Sequence, residues 1–438
     1  MAGRYQAYSE YKDSGLKWFG DIPSFWDISR LKFEASINMG QSPSSDDCNT
    51  DGFGLPFLQG NAEFSKRHPI PKQYCNVARK IANSGDLLFS VRAPVGAINI
   101  ADQSYGIGRG LCAISVRHNI DDRYLKWLVP VCRTELDSIA TGSTFEAVSA
   151  EQVENVAIAM PSLDEQINIA NFLDHETAKI DTLIDKQQQL IKLLKEKRQA
   201  VISHAVTKGL NPAAPMKDSG VEWLGEVPEG WGVAKMRYLV DESAAGPYGA
   251  SLTKAMYTTS GYRVYGQQQV IAGSFELGDY YISKEKYAEM ERYTVYPDDV
   301  LISVMGTVGK VAVVPANVEP GIINPRLVRY VFNKKRVLPE FVKIQISSSF
   351  HQDYLLKAAQ GSTMDGLNMG ILGGMSLAFP KIQEQQLILD HVNKVSDKFY
   401  RLISFSEKSL ELLQERRTAL ISAAVTGKID VRNWQPVG

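Results

Sequence analysis

The sequence predicts a mixed α+β fold in which two α/β domains are separated by two long helices forming an antiparallel coiled coil, with a pseudo-twofold internal repeat. Three observations predict it. Residues 12–26 recur at 217–231. Residues 161–207 recur at 380–426 with helical periodicity. Between these blocks lie short apolar runs bounded by Gly, Pro and Asn, which are typical of strands. Self-similarity at a fixed offset indicates a duplicated scaffold.

The composition is that of an ordinary globular protein. The 438 residues are 44% hydrophobic and carry a net charge of −1, which gives no global sign of a nucleic-acid partner. No apolar run reaches the roughly 18 residues that a membrane span needs. The first ten residues are polar, and the four cysteines are widely spaced without a C-x-x-C pair. We therefore expect a cytoplasmic protein with reduced thiols and no membrane association.

The first repeated block reads KDSGLKWFGDIPSFW in one half and KDSGVEWLGEVPEGW in the other, 205 positions later. The recurring residues are Lys12, Asp13, Ser14, Gly15, Trp18, Gly20, Pro23 and Trp26. The tryptophans Trp18, Trp26, Trp223 and Trp231 have the chemistry of base-stacking residues. Because they belong to the repeated scaffold, packing is the favoured interpretation.

The second repeated block is helical, at an offset of 219 positions. Ser162 after Pro161 is expected to be an N-cap, and Glu165 completes a capping-box pattern. A helix from about 164 to 206, ending at 208–209, would be about 65 Å long at ~1.5 Å per residue. Its repeat reaches Gly427. Each apolar stripe needs a partner, so the two helices are expected to pair, antiparallel if the halves share one layout. The second helix is less regular at Ser406 and Ser409.

The stretches between the blocks differ between the halves and predict mixed α/β domains. Strands are expected near 86–91, 111–116, 300–304 and 311–314, and helices at 121–136 and 339–356. The predicted division is a first domain at 1–160, a first helix at 161–209, a second domain at 210–379, and a second helix with the tail at 380–438.

No catalytic constellation appears in the sequence. The segment 324–327 lacks the second proline and the aromatic residue of an amino-methyltransferase motif. The segment 306–311 has the wrong spacing for a phosphate loop and favours a hairpin turn. Asp86 and Asp299 precede apolar runs as turn-forming residues, without the Glu-x-Lys of a nuclease. The six histidines show no metal-ligand spacing with cysteine.

The doubled motifs resemble those of the specificity subunit of type I restriction-modification systems. The K-D-S-G-x-x-W-x-G-x-[IV]-P-x-x-W segment and the P-x-x-x-E-Q helix ending in A-x-I-S-x-A-V-T each occur twice, and the resemblance covers essentially the whole chain. It implies that each α/β domain is a target-recognition domain reading one half of a bipartite site in double-stranded DNA.

The resemblance also implies partners. The helix pair would space the two domains and dock two modification subunits, which carry S-adenosylmethionine and methylate adenine at N6. Restriction subunits would add ATP- and magnesium-dependent translocation and cleavage. We expect no cofactor, no metal and no catalytic residue in this chain.

Candidate DNA contacts are polar or basic residues expected in loops of the divergent stretches, with a solvated surface role as the alternative for each of them. In the first domain they are Gln59, Asn61, Lys66, Arg67, Arg92 and Arg109. In the second they are Tyr265, Gln267, Gln268, Lys284, Lys286 and Arg326. The shared Gly-Ser-Thr segments suit phosphate contact, with a structural turn as the alternative for Ser143, Thr144, Ser362 and Thr363.

Two other classes of function remain open on the sequence alone. A self-sufficient DNA methyltransferase would bind S-adenosylmethionine without a partner. A purely structural coiled-coil adaptor would show no salt-dependent DNA binding, even with its partners.

Overall fold

The computed structural model describes residues 5–16, 18–66, 68–117, 119–133, 135–136, 147–360 and 366–436. Its contacts group into two units. Unit 1 comprises residues 1–188 and 408–438, and unit 2 comprises residues 189–407. Both long helices therefore contribute residues to both units.

The elements are numbered here in chain order. The helices are α1 Leu31–Glu34, α2 Asp122–Val131, α3 Ala150–Glu154, α4 Leu163–Lys208, α5 Gln267–Ala272, α6 Lys284–Glu289, α7 Pro339–Ile346, α8 Ser349–Gln360, α9 Met369–Gly374 and α10 Ile382–Val425. The strands up to α4 are β1 Tyr11–Asp13, β2 Asp21–Pro23, β3 Asp27–Arg30, β4 Ala35–Met39, β5 Cys48–Asn49, β6 Leu55–Leu58, β7 Gln73–Cys75, β8 Ile81–Ala82, β9 Leu87–Ser90, β10 Ile98–Ile100, β11 Tyr105–Ile107, β12 Leu111–Val116 and β13 Ala157–Met160. The strands after α4 are β14 Met216–Asp218, β15 Glu226–Pro228, β16 Gly232–Lys235, β17 Val240–Ala245, β18 Tyr262–Tyr265, β19 Tyr281–Ile282, β20 Val300–Ser303, β21 Val311–Val313, β22 Gly321–Ile323, β23 Leu327–Phe332 and β24 Ser376–Phe379.

The two units repeat one sheet plan. In unit 1 a four-stranded sheet has the order β10-β9-β12-β4, and a five-stranded sheet has the order β5-β7-β6-β11-β8. In unit 2 the four-stranded sheet reads β21-β20-β23-β17, and the smaller sheet reads β19-β18-β22. The smaller sheets each contain one parallel pair, β6 with β11 and β18 with β22. The mixed α+β prediction is confirmed.

Within unit 1 the start of α4 packs against the end of α10. Phe172 and Ile180 share one apolar core with Leu420 and Val425. Arg417 Nε donates to Asp181 Oδ1 at 2.7 Å. Residues early in one helix therefore meet residues late in the other, which is an antiparallel pairing.

Within unit 2 the end of α4 packs against the start of α10. Val206 shares a core with Ile388 and Val392. Lys195 Nζ lies 3.1 Å from Glu407 Oε1. The antiparallel coiled coil predicted from the two apolar stripes is confirmed.

A repeated glutamine fastens each α/β domain to its long helix. Gln166 Oε1 accepts a hydrogen bond from the backbone of Asp121, the N-cap of α2, at 2.8 Å. Gln385 Oε1 accepts one from the backbone of Leu338, the N-cap of α7, also at 2.8 Å. These bonds satisfy backbone N–H groups that have no partner inside their own helices.

Some local predictions need correction. Residues 339–356 form two helices, because Ser347 and Ser348 interrupt the run and Ser348 Oγ is bonded to His351 Nδ1 at 2.9 Å. Ser162 Oγ accepts from the backbone of Glu165 at 3.4 Å, as expected of an N-cap. The capping box is incomplete, because the Glu165 carboxylate accepts instead from the Tyr8 hydroxyl at 2.7 Å.

Other local predictions are confirmed. Trp26 and Trp231 are buried in the cores. Asp86 and Asp299 are turn residues, since each carboxylate accepts from the backbone N–H three positions earlier. The segment after β20 is the hairpin turn leading to β21. None of the described helices is apolar over a stretch long enough to cross a membrane.

Candidate nucleic-acid interface

The parallel strand pair of each smaller sheet places several loops at one edge. Parallel strands end at the same edge of a sheet, so the loops after β6 and β11 meet, as do those after β18 and β22. We call this the loop edge. In unit 1 it comprises residues 40–44, 59–61, 92–94 and 108–110. In unit 2 it comprises residues 246–248, 266–268, 305–307 and 324–326.

The loop edges of both units share one backbone hydrogen-bond frame. The bond from Gly40 N to Leu111 O in unit 1 corresponds to that from Gly246 N to Leu327 O in unit 2. The bond from Gly108 N to Leu58 O corresponds to that from Asn324 N to Tyr265 O. The bond from Val91 N to Gly110 O corresponds to that from Val304 N to Arg326 O. All six are between 2.8 and 3.0 Å long. This frame fixes which positions correspond, although the side chains differ.

Glycine is required at one corresponding position of this frame. A Cβ on Gly40 would lie 2.1 Å from the Gly108 carbonyl oxygen, and one on Gly246 would lie 1.9 Å from the Asn324 carbonyl oxygen. The obstacle is backbone in both cases. In unit 1 the loop after β4 therefore lies directly against the loop after β11, and in unit 2 the loop after β17 lies against the loop after β22.

Unit 1 presents two exposed arginines at its loop edge. Arg92 pairs through its backbone with Ala147, and the backbone N–H of Arg109 donates to Ser42 Oγ at 3.4 Å. Gln59 is also exposed, and its Nε2 donates to Ser42 Oγ at 2.9 Å. Asn61 begins a short 3-10 helix and is half-buried. The edge thus offers guanidinium and amide donors.

Unit 2 presents a different set at the corresponding edge. Arg326 stands where unit 1 has Gly110, and Met305 stands where unit 1 has Arg92. Gln267, at the start of α5, is half-buried and bonded to Arg326, whereas Gln268 is exposed. The two edges share a frame and differ in their donors and acceptors.

A cavity opens beside each loop edge. In unit 2 a cavity of about 450 Å³ is lined by Tyr257, Tyr280, Gln267 and Arg326 among others. The two tyrosine rings lie 5.1 Å apart, and burial, followed by the neighbouring Tyr280, raises the pKa of Tyr257. In unit 1 a cavity of about 500 Å³ includes Gln59 in its lining.

Burial corrects one predicted contact, Tyr265, whereas the predicted contact of Lys66 stays a prediction. Tyr265 is fully buried in β18, its hydroxyl donates to the Glu319 carbonyl at 2.7 Å, and burial raises its pKa to about 12. A side chain in this position does not reach a base edge. Lys66 is exposed, but its ammonium lies 2.9 Å from Asp185 on α4, so its nearest charge partner is internal.

The remaining candidates lie elsewhere. Lys284 and Lys286 belong to α6, and Lys286 is 2.8 Å from Glu289. Arg67 and the Ser-Thr pairs fall outside the described residues: Ser143, Thr144, Ser362 and Thr363. Their predicted contacts with DNA stay predictions.

Residue-type reasoning missed the groups that orient the edge. Ser42 Oγ accepts hydrogen bonds from both Gln59 Nε2 and the backbone N–H of Arg109. Ser303 Oγ accepts a 2.6 Å hydrogen bond from Gln267 Nε2. Ser90 in unit 1 corresponds to Ser303, since each accepts a backbone bond from the glycine six positions later. The pattern S-V-x-x-x-V-G, at 90–96 and 303–309, was the available signal.

Among the described residues no group of three or more His, Cys, Asp or Glu side chains is arranged to hold a metal ion. The four cysteines are free thiols. Burial raises the pKa of Cys112 and Cys75 to about 12.

Comparison with known proteins gives a consistent result. A family model for the type I restriction modification DNA specificity domain matches residues 23–193. The putative type I restriction enzyme MjaX specificity subunit of Methanocaldococcus jannaschii is 37% identical over 194 residues, 43% of this chain and 45% of that protein. The chain thus spans less than half of that relative.

Two further matches extend over nearly the whole chain. The type I restriction enzyme MjaVIII specificity subunit of the same organism is 22% identical over 97% of this chain and 98% of its own length. A chain from a structural study of complex assembly and conformational transition in a type I restriction-modification system covers 92% of this chain and 98% of its own length. Its TM-score is 0.70 and its identity is 16%. At this low identity, the similarity to that solved structure is evidence for the fold alone.

Proposed function

We propose that the chain is a specificity subunit of a type I restriction-modification system, like the proteins it resembles, and that each unit reads one half of a bipartite site in double-stranded DNA. One observation carries the proposal: the two loop edges share a backbone frame and carry different side chains. A common frame suits a common way of approaching the double helix, and different side chains suit different base sequences.

The exposed donors at the edges have the chemistry that the major groove requires. Arginine pairs with guanine, and glutamine or asparagine with adenine, through paired hydrogen bonds. Arg92 and Arg109 in unit 1 and Arg326 in unit 2 are exposed at the edges. The net charge of −1 is compatible with this, because phosphate contact depends on local basic groups.

The direct test exchanges one domain. Residues 40–150 are replaced by the corresponding stretch of a relative with a different methylated sequence, and the chain is produced with its modification subunit in a host that lacks adenine methylation. We expect one half of the methylated motif to change, while the other half and the spacer stay the same. A matched exchange of residues 246–366 changes the other half. An unaltered motif after both exchanges contradicts the proposal.

The helix pair is the proposed docking surface for two modification subunits. Large apolar side chains on the helices are exposed in both units: Leu183 and Leu412 in unit 1, and Leu193, Tyr400 and Phe405 in unit 2. Exposed apolar side chains mark a protein interface where they form a contiguous patch, and this proposal assigns them that role. The substitution Phe405→Ser should weaken binding of the modification subunit in sedimentation experiments, whereas Tyr238→Ser, at an exposed residue off the helices, should not.

The chemistry is assigned to the partners. The modification subunits would bind S-adenosylmethionine and methylate adenine at N6, and restriction subunits would supply ATP- and magnesium-dependent cleavage. Four free cysteines fit a protein working in the reducing cytoplasm. Calorimetry with S-adenosylmethionine should show no binding to this chain alone and binding to the complex. Binding to the isolated chain overturns this assignment.

A further inference from the structure

The backbone of Arg326 is fixed at both of its polar groups. Its N–H donates to Asn324 Oδ1 at 2.9 Å, and its carbonyl accepts from the Val304 N–H at 3.0 Å. The start of its exposed side chain is therefore held in place by the loop edge. A recognition group gains from such fixation, because less conformational freedom is lost when it binds.

Gln267 is oriented so that its carbonyl oxygen faces this arginine. Its Nε2 donates to Ser303 Oγ at 2.6 Å and to the Met305 carbonyl oxygen. Both amide hydrogens are thus used, and Oε1 accepts from Arg326 Nη1 at 3.4 Å. Gln267 therefore limits where the guanidinium can lie while leaving most of its five N–H donors available.

Arg326, which directly precedes β23, differs in its charge environment from the two arginines within the unit 2 strands, Arg263 and Arg329. Arg263 lies 3.1 Å from Glu319, and Arg329 lies 3.0 Å from Asp299. Among the described residues no carboxylate lies within ion-pair distance of Arg326. The guanidinium of Arg326 is therefore exposed, and its positive charge is not paired with a carboxylate of the described residues.

We propose that Arg326 reads a guanine in the second half-site, positioned by Gln267. The proposal rests on the proposed function. A guanidinium presents two coplanar donors that match the O6 and N7 acceptors of guanine in the major groove. Adenine carries the N6 amino group, a donor, where guanine carries the O6 acceptor. A guanidinium N–H facing that amino group leaves two donors opposite each other, each without an acceptor. The fixed backbone of Arg326 and its bond to Gln267 suit a base contact, in which both donors must align with one base edge, and the variants below distinguish it from a phosphate contact.

The experiment uses the complete methyltransferase complex in a host without adenine methylation, with the methylated motif read by single-molecule sequencing. The wild-type half-site assigned to unit 2 should contain a required guanine. Arg326→Ala should lower the preference for that one base by about tenfold or more and leave the other half-site unchanged. Arg326→Lys keeps the charge but not the planar donors, and should lose the preference while methylation continues.

Gln267 is tested as a positioning residue. Gln267→Ala should weaken the preference at the same base by a smaller factor, and the double variant should behave like Arg326→Ala alone. Arg292→Ala, at an exposed arginine away from the loop edge, is the matched control and should leave the motif intact.

Three results overturn the proposal. They are a second half-site without guanine, an Arg326→Lys variant that keeps the full preference, and an Arg326→Ala variant that lowers methylation equally at all sites, as a phosphate contact would. If the domain exchange changes the motif and the Arg326 variants do not, only this inference fails. If neither changes the motif, the proposed function fails.

Discussion

The indole Nε1 of Trp231 donates a hydrogen bond of 3.0 Å to Glu384 Oε1. The repeat-related Trp26 lacks this bond, and its Nε1 is buried with no hydrogen-bond partner among the described residues. The corresponding carboxylate, Glu165, is bonded to the Tyr8 hydroxyl instead. The same repeated residues thus make a bond in one unit and not in the other.

This difference predicts unequal effects of one substitution. Trp231→Phe and Trp26→Phe both remove part of a buried ring, but only Trp231→Phe removes a hydrogen bond to a carboxylate. We expect Trp231→Phe to lower the free energy of unfolding by about 1–2 kcal/mol more than Trp26→Phe does. Urea titrations of both variants, followed by tryptophan fluorescence and circular dichroism, measure the difference. Equal losses would show that the bond contributes nothing to stability.

The buried glutamine between domain and helix gives a second prediction. Gln385 Nε2 donates to the carbonyls of Arg336 and Pro380, both at 2.9 Å, while its Oε1 accepts from Leu338. Gln385→Leu leaves these buried backbone groups without partners and should destabilise unit 2 by about 2–4 kcal/mol. Gln386→Leu is the control, because Gln386 is exposed on the same helix turn. A similar small effect of both substitutions would contradict the role given to Gln385.

These bonds explain how far the sequence alone could predict the fold. Repetition and periodicity predicted both long helices to within a few residues, because an apolar stripe of that length has few alternatives. They did not predict why the glutamine recurs. Gln166 contacts Asp121, 45 residues away, and a single sequence carries no information about such a pairing.

The candidate site, too, could be predicted only in part from the sequence. Residue chemistry and turn signals found Arg92, Arg109, Gln267 and Arg326, which the fold brings to corresponding edges. Tyr265 was assigned wrongly because β18 is covered on both faces, so that Arg263, Val264 and Tyr265 are all buried and no alternation marks an exposed side. The sequence of one chain does not reveal that a strand is covered twice.

The close approach at Gly246 predicts a steric effect confined to unit 2. A methyl group there meets the Asn324 backbone, so Gly246→Ala should cost about 1–3 kcal/mol of stability and distort the loop edge. Gly230→Ala is the control, since a Cβ at Gly230 has nothing within 4 Å. Recognition of the second half-site should fail in the first variant only. Wild-type stability and an intact motif in Gly246→Ala would show that the edge adjusts without loss.

His351 predicts a pH dependence of stability. Its side chain is fully buried, and burial lowers its pKa from 6.5 to about 4, although the bond with the Ser376 carbonyl opposes this. As pH falls from about 6.5 to 4, the unfolded chain takes up a proton that the folded chain does not, so the folded state loses stability on acidification. The loss approaches about 3 kcal/mol at pH 4.

Measuring unfolding free energies at several pH values tests this. His351→Gln should be less sensitive to pH than the wild type between pH 6.5 and 4. His391→Gln removes an exposed histidine and should retain the wild-type slope. Parallel pH profiles for wild type and His351→Gln would mean that His351 is not the group responsible.

The resemblance implies that the helix pair spaces the two domains, and we propose that it thereby sets the spacer between the half-sites, which predicts the effect of an insertion. An insertion after Thr207 at the end of α4 is unsuitable, because Thr207 and Val206 are buried and Gln345 donates to the Val206 carbonyl at 2.9 Å. The helices pair antiparallel, so one turn of four residues should enter both, after Gln188 and after Glu407. Each helix then gains about 6 Å, or between one and two base pairs at ~3.4 Å each. Sequencing of the methylated genome should show the same half-sites with a longer unread spacer. An active complex whose spacer is unchanged would rule out the helix pair as the element that sets the distance.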